Sequence, residues 1–290
     1  MKVLVTGATG QLGGAIVREF GETYDVVAPT RRQLDVADGQ TVIETVRRLQ
    51  PSVIINCAAY NDVDRAEDDP VTSLKVNAFA VRLLAEGASG CGATLVHYST
   101  DFVFDGDGDR AYTESDSPRP RSFYAASKLL GEWFAREAPS AYVLRVESLF
   151  GGAAFNPVAR KSSVDKILSA ILADQEVPVI VDRTISPCYV VDVARATRAL
   201  LERHAAPGIY HCVNSGQCTW DELAEDLARA LGRSARLKRV RMDDLHLRAQ
   251  RPRFCALSNA KLKEAGIEMP SWQDALSRYL SMRELRERCL

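Results

Sequence analysis

The chain has 290 residues, 46% hydrophobic and 26% charged, with a formal net charge of -1. That is globular composition, enough for one large domain or two intimate ones, and its balanced charge gives no overall pull toward nucleic acid or an anionic membrane. No apolar run approaches the roughly 20 residues that cross a bilayer, and Lys2 with its short apolar strand and glycines lacks the core of a secretion signal, so a cytoplasmic protein is expected.

In chain order, Val3 to Val5 reads as a strand, and Leu12, Ile16 and Phe20 recur at helical spacing. "DVVAPT" is a second strand, and Val42, Val46 and Leu49 mark a second helix. "SVIINCAA" is a third strand, followed by a long helix over Val71 to Ala88. "ATLVHYS" is a fourth, followed by a helix from about Ser122 to Ala135 and then strand "AYVLRV". Strands alternating with helices predict an α/β fold of the Rossmann type, a doubly wound parallel sheet covered on both faces. The rhythm loosens after Arg145. A helix over Ser163 to Ala173, strand "VPVIV", helix "VVDVARATRALLE", short strand "GIYHCV" and an amphipathic stretch from Trp220 to Leu231 follow. Trp272, Leu276 and Tyr279 share a face in the tail. This predicts a dinucleotide-binding domain over 1–150, with elements near 188–213 returning to it, and a smaller lobe over 151–290 on the sheet's carboxyl edge, too sparse for a sheet of its own.

The seven cysteines are scattered, odd in number and without a CxxC pair, which favours a reducing compartment. The spacing of His211, Cys212 and Cys218 matches no common zinc pattern.

"VLVTGATGQLGGAI" sets Gly7, Gly10 and Gly13 between a strand and a helix. The first two let the chain turn tightly and approach a pyrophosphate. The third lets helix and strand pack closely, and the helix N-terminus offers free amides and a positive dipole end. The GxxGxxG spacing resembles the extended branch of the short-chain dehydrogenase/reductase superfamily. The tip of the second strand offers Thr30, Arg31 and Arg32 and no carboxylate, which favours NADPH, with NADH as the alternative. The resemblance places Gly7, Thr9, Gly10, Gln11, Leu12, Arg31, Asp35, Val36, Ala58, Ala59, Tyr60 and Asn77 against the cofactor, with Asn56 ending the third strand.

"YAASK" sets Tyr124 and Lys128 at i, i+4, on one helical face. A free tyrosine is a poor acid at neutral pH, with a pKa of about 10, and a neighbouring ammonium lowers it. Such a pair exchanges a proton with a carbonyl or alcohol while hydride moves at the other end of the bond. In the superfamily Lys128 also bonds the nicotinamide ribose, and Thr100 holds the substrate oxygen.

In "HYSTDFVFDG", a large apolar residue, Phe102, directly follows Thr100 and Asp101. Sugar-nucleotide 4,6-dehydratases have a glutamate there that serves elimination of water. Phe102 can neither accept nor donate a proton, so elimination loses its base while carbonyl reduction loses nothing. The turn is similar to that of the dTDP-4-dehydrorhamnose reductase family, and the resemblance runs through "PSVIINCAAYNDVDRAEDDP", "PRSFYAASKLLGE", "GIYHCVNSGQCTWDELA" and "QRPRFCALSNAKL".

That family implies reduction at C4 of a nucleotide-linked 4-keto-6-deoxysugar. Thr100, Asp101, Tyr124 and Lys128 are then catalytic, and Thr100, Asp101, Phe102, Val103, Tyr124 and Arg251 meet the substrate, with Arg251 on its diphosphate. Some members carry a first-helix glutamate tied to a magnesium-bridged dimer. Ala15 and Ile16 stand in that neighbourhood here, so no metal is expected and the chain is a monomer or homodimer. Departures from the family pattern include Glu147 for a small polar residue, Cys255 for a serine, and Asp182-Arg183 for an aspartate-glutamine pair. They leave the redox class intact and the sugar open. Two rival readings share the fold: a dinucleotide-binding regulatory subunit like that of methionine adenosyltransferase, and a sugar-nucleotide epimerase.

Overall fold

The computed structural model describes residues 1–152, 155 and 160–287, with side chains to 283. Cys289, one of the seven cysteines of the sequence, lies outside the described residues.

The central sheet is built in chain order from β1 (Lys2–Thr6), α1 (Gln11–Gly21), β2 (Asp25–Val27), α2 (Gly39–Leu49) and β3 (Val53–Asn56). It continues through α3 (Val63–Asp68), α4 (Pro70–Leu74), a π-turn at Lys75–Phe79, α5 (Ala80–Cys91), β4 (Thr94–Thr100), α6 (Phe123–Ala135) and β5 (Ala141–Val146). After β6 (Leu149–Phe150) come α7 (Ser163–Leu172), β7 (Val177–Ile180), β8 (Thr184–Ile185), β9 (Cys188–Tyr189), α8 (Val190–Glu202) and β10 (Gly208–His211). The remainder is β11 (Cys218–Thr219), α9 (Trp220–Ala230), β12 (Leu237–Val240), α10 (Ala260–Glu264) and α11 (Trp272–Glu287).

Six parallel strands order as β10-β5-β4-β3-β1-β2, with Val3 opposite Val53 and Leu95 opposite Ala141. The chain runs outward from β1 to β2 and then restarts at β3 on the other side. This reversal opens a crevice beyond the carboxyl ends of β1 and β3, where open α/β sheets bind ligands. Alternation along β1 explains the two covered faces. Val3 and Val5 pack in one cluster with Ile16 of α1 and Val193 of α8, while Leu4 packs in another with Val42 of α2 and Leu84 of α5. β10 belongs to this sheet, paired to β5 along Tyr142–Arg145, although it lies beyond residue 150 in the chain.

Three expectations change. The second strand stops at Val27 because Pro29 has no amide to donate to a ladder. The long helix predicted from Val71 is interrupted by the π-turn, which carries Asn77. The second lobe has short pairings of its own, β11 with β8, β12 with β7 and β6 with β9, around a core that includes Phe150, Ile167, Leu223 and Trp272. Leu276 and Tyr279 share that core, and a capping box of Ser162 and Asp165 starts α7. No helix among the described residues is long and apolar enough to cross a membrane.

Candidate active site

The crevice at the sheet's carboxyl edge is a cavity of about 460 Å³. Its walls come from the turn after β1 (Gly10, Gln11, Leu12), the end of β3 (Ala58, Ala59), the end of β4 (Thr100, Asp101, Phe102) and α6 (Tyr124, Lys128). The second lobe adds Ser163, Lys166, Arg183 and Trp220.

The glycine turn brings the backbone close to the cavity wall. Gly7 has φ +67°, and a Cβ there would lie 2.5 Å from the Ala58 nitrogen. A Cβ at Gly13 would lie 2.2 Å from the Gly7 carbonyl oxygen, so only glycine lets α1 press against the turn. No side chain caps α1, whose N-cap is Gly10, and its first turn holds no carboxylate. Its leading amides and dipole end therefore remain open to an anion at the cavity wall.

Ser122 caps α6 by accepting from the Ala125 amide, and this sets the start of the helix. One turn apart on α6, Tyr124 and Lys128 are both buried, at 8% and 2% exposure. The Lys128 ammonium donates to the Tyr98 carbonyl at 2.5 Å. Burial brings its pKa down to about 8, with Glu132 and Cys57 acting against the fall. The Tyr124 phenol is raised, first by burial and then by the Asp101 charge, while a hydrogen bond with Thr100 opposes the rise. The expected lowering of the phenol by its lysine is thus reversed in this geometry. The ammonium points to the β4 backbone, and desolvation dominates.

Thr100 donates to Asp101 Oδ1 at 2.9 Å and accepts from the Phe102 amide at 3.2 Å. Phe102 packs edge-on against the Tyr124 ring, centroids 5.7 Å apart at 88°. The apolar residue beside this hydroxyl and carboxylate therefore braces the phenol.

Behind this turn lies a buried charge cluster. The Arg183 guanidinium sits 5.0 Å over the Phe102 ring, 3.7 Å from Asp101 Oδ2 and 3.4 Å from Cys255 Sγ. Glu147, which follows β5, accepts from the Ser186 amide and faces the same guanidinium. Burial raises both carboxyls, Glu147 strongly. One guanidinium stands against two buried carboxyls, and burial together with the Asp101 charge pushes Glu147 up the more strongly. Asp101, Glu147 and Cys255 offer ligand atoms within 4.8 Å of one another, and Arg183 supplies positive charge to that group. The three departures Glu147, Arg183 and Cys255 meet here, which sequence spacing does not reveal. The position of Glu147 just past the end of a strand was the available signal.

The other expected site residues divide. Arg31 and Asp35 pair with each other at 3.4 Å beyond β2, and the Arg31 side chain is 79% exposed. Thr9 is exposed in the glycine turn, while Val36 and Val103 are buried core at 7% and 0%. Asn77 binds the Tyr60 backbone, accepting from its amide at 2.8 Å and donating to its carbonyl at 3.0 Å, so both shape the β3 loop rather than line the cavity. Arg251 is placed differently from expectation. Its two terminal nitrogens engage Asp64 at 3.0 and 2.7 Å, and it borders a separate groove rather than the cleft.

The chain matches the family described as RmlD substrate binding domain over residues 1–284. It is 34% identical over 284 residues to the spore coat polysaccharide biosynthesis protein SpsK of Bacillus subtilis, covering 97% of this chain and 98% of that one. It is 35% identical over 288 residues to a dTDP-4-dehydrorhamnose reductase of Streptomyces griseus, covering 94% and 91%. A crystal structure of dTDP-4-dehydrorhamnose reductase from Bacillus anthracis in complex with NADP superposes with a TM-score of 0.90 at 31% identity, covering 96% of this chain and 98% of that one.

Proposed function

Because the chain belongs to the RmlD substrate-binding domain family, we propose that it is an NADPH-dependent oxidoreductase that reduces the C4 keto group of a nucleotide-linked 4-keto-6-deoxysugar. The observation that carries this reading is the buried Tyr124–Lys128 pair on one wall of the cleft whose opposite wall is the uncapped start of α1.

Gly10, Gln11 and Leu12 hold the cofactor's pyrophosphate, and Ala58 and Ala59 back the dinucleotide. The bound nicotinamide supplies the hydride. Thr100 and Tyr124 meet the keto oxygen, and Tyr124 donates its proton to that oxygen. A phenol raised by burial stays protonated at neutral pH, so Tyr124 carries the proton that the keto oxygen takes up as the hydride arrives at C4. Lys128, one turn along α6 and anchored to the Tyr98 carbonyl, would hold the nicotinamide ribose. Phe102 excludes water from the phenol's edge and leaves no base for elimination, which favours simple reduction over dehydration. The product belongs to deoxysugar synthesis, in the cytoplasm, by a monomer or homodimer.

The test is to supply dTDP-4-keto-6-deoxyglucose, with its epimerised relative, and to follow NADPH absorbance. Oxidation that depends on the sugar nucleotide supports the reading, and no oxidation with any nucleotide sugar sinks it.

A further inference from the structure

A second groove, of about 370 Å³ and mostly apolar, adjoins the cleft. Pro178, Val179 and Ile180 of β7 and Leu247 contribute to its lining. Ser163, Lys166, Arg183 and Trp220 border both the cleft and the groove, so they mark the passage between them. A nucleotide sugar whose reacting ring lies beside Tyr124 and whose flat base lies in the apolar groove must run its diphosphate through this passage.

The charges in the passage are not equivalent. Arg183 already faces Asp101 and Glu147, and its guanidinium is tied to that buried cluster. Ser163 and Trp220 are neutral. Arg251, on the groove side, is locked to Asp64. Lys166 is exposed on α7, and among the described residues no carboxylate lies within ion-pair distance of its ammonium. Its neighbour Asp165 turns inward, accepting from Ser162 and from the Tyr279 hydroxyl.

We infer that Lys166 holds the diphosphate of the substrate in this passage, and that Arg251 does not. The inference rests on the nucleotide-sugar reading above. An ammonium–phosphate contact is charge-assisted and stronger than a neutral hydrogen bond, and its loss is felt by the diphosphate and not by the nucleoside.

Calorimetry with thymidine 5′-diphosphate and with thymidine as probes tests it. In Lys166→Met, diphosphate affinity should fall by about tenfold or more, thymidine affinity should hold within about twofold, and Lys166→Arg should restore most of the loss. Arg251→Met should leave diphosphate affinity within about twofold of the parent. Lys166→Met binding the diphosphate as the parent does, or Arg251→Met losing what Lys166→Met was expected to lose, overturns the inference. Turnover is scored separately. A parent that binds the diphosphate through Lys166 but oxidises no NADPH with any nucleotide sugar overturns the reductase reading and leaves this assignment standing.

Discussion

Arg251 and Asp64 meet in a forked ion pair, with nitrogen–oxygen distances of 3.0 and 2.7 Å, and this pair joins the loop before α10 to α3. An arginine that satisfies a carboxylate with both terminal nitrogens has its planar fork already matched. The residue expected from sequence to grip an anionic ligand thus serves as a clasp between the two lobes. The Arg251 hydrogen bond holds the Asp64 carboxyl below its usual range. The folded value is depressed, so the contribution is present above the unfolded carboxyl pKa of about 4 and fades as pH falls through the folded value. Asp64 is 40% exposed, so Arg251→Met should lower stability by less than about 1 kcal/mol at pH 7, and by less still at pH 3. Thermal melts at the two pH values check this, and a larger loss at pH 3 would contradict it.

Tyr124→Phe keeps the ring that Phe102 braces and removes the hydroxyl that carries the proton. Turnover should fall by about 10²- to 10⁴-fold, with NADPH affinity held within about twofold. Fluorescence titration of the cofactor alongside steady-state rates separates the two, and retained turnover would remove Tyr124 from its role.

Lys128 gives the reaction an alkaline limit. Its pKa of about 8 means the ammonium is lost above that pH in the free enzyme, so kcat/KM should decline above about pH 8. Stability should move the other way. The unfolded chain binds this proton up to about pH 10.4 and the folded chain releases it near 8, so the neutral form favours folding as pH rises between them. Lys128→Met should abolish that rise in stability, which denaturant melts at pH 7 and 10 will show.

Arg31 stands beyond β2 with its side chain 79% exposed and only an i, i+4 partner in Asp35. Such a pair is worth a few tenths of a kcal/mol, so the guanidinium is free to leave it for a 2′-phosphate. Arg31→Asp should weaken NADPH by about tenfold or more and NADH by no more than about twofold. Equal effects on the two cofactors would dismiss a role in selectivity.

The buried cluster predicts an asymmetry between its members. Burial raises the Glu147 carboxyl strongly, which favours its neutral form, so the isosteric Glu147→Gln should change stability by less than about 1.5 kcal/mol. Arg183→Met strands Asp101 without its cation and should cost about 3–5 kcal/mol in denaturant melts. Comparable losses in the two variants would mean that Glu147 is ionised in the folded protein.

Local spacing made much of the site legible. The glycine turn, the Tyr124–Lys128 step and the Thr100–Asp101 turn are each set by residues a few positions apart, and the strand–helix rhythm around them placed them at one sheet edge. What depends on distant pairing was hidden. Arg251 meets a carboxylate 187 residues away, and Glu147 bonds the Ser186 amide across 39 residues. Nor can spacing report desolvation, which is why the phenol was expected to fall and instead rises. Of the second lobe's short pairings only the β7 strand was legible, as "VPVIV"; two-residue strands such as β6, β8 and β11 carry too little periodicity to register, and no pattern shows which strands pair.

β10 completes the sheet only after the chain has travelled out through α7 and back along α8. A ribosome that has released only the first five strands has therefore made a sheet with a bare flank at β5, open to any passing chain. The flank of β5 is covered only when Gly208–His211 arrives, so the first half of the chain finishes its sheet with a strand drawn from the second.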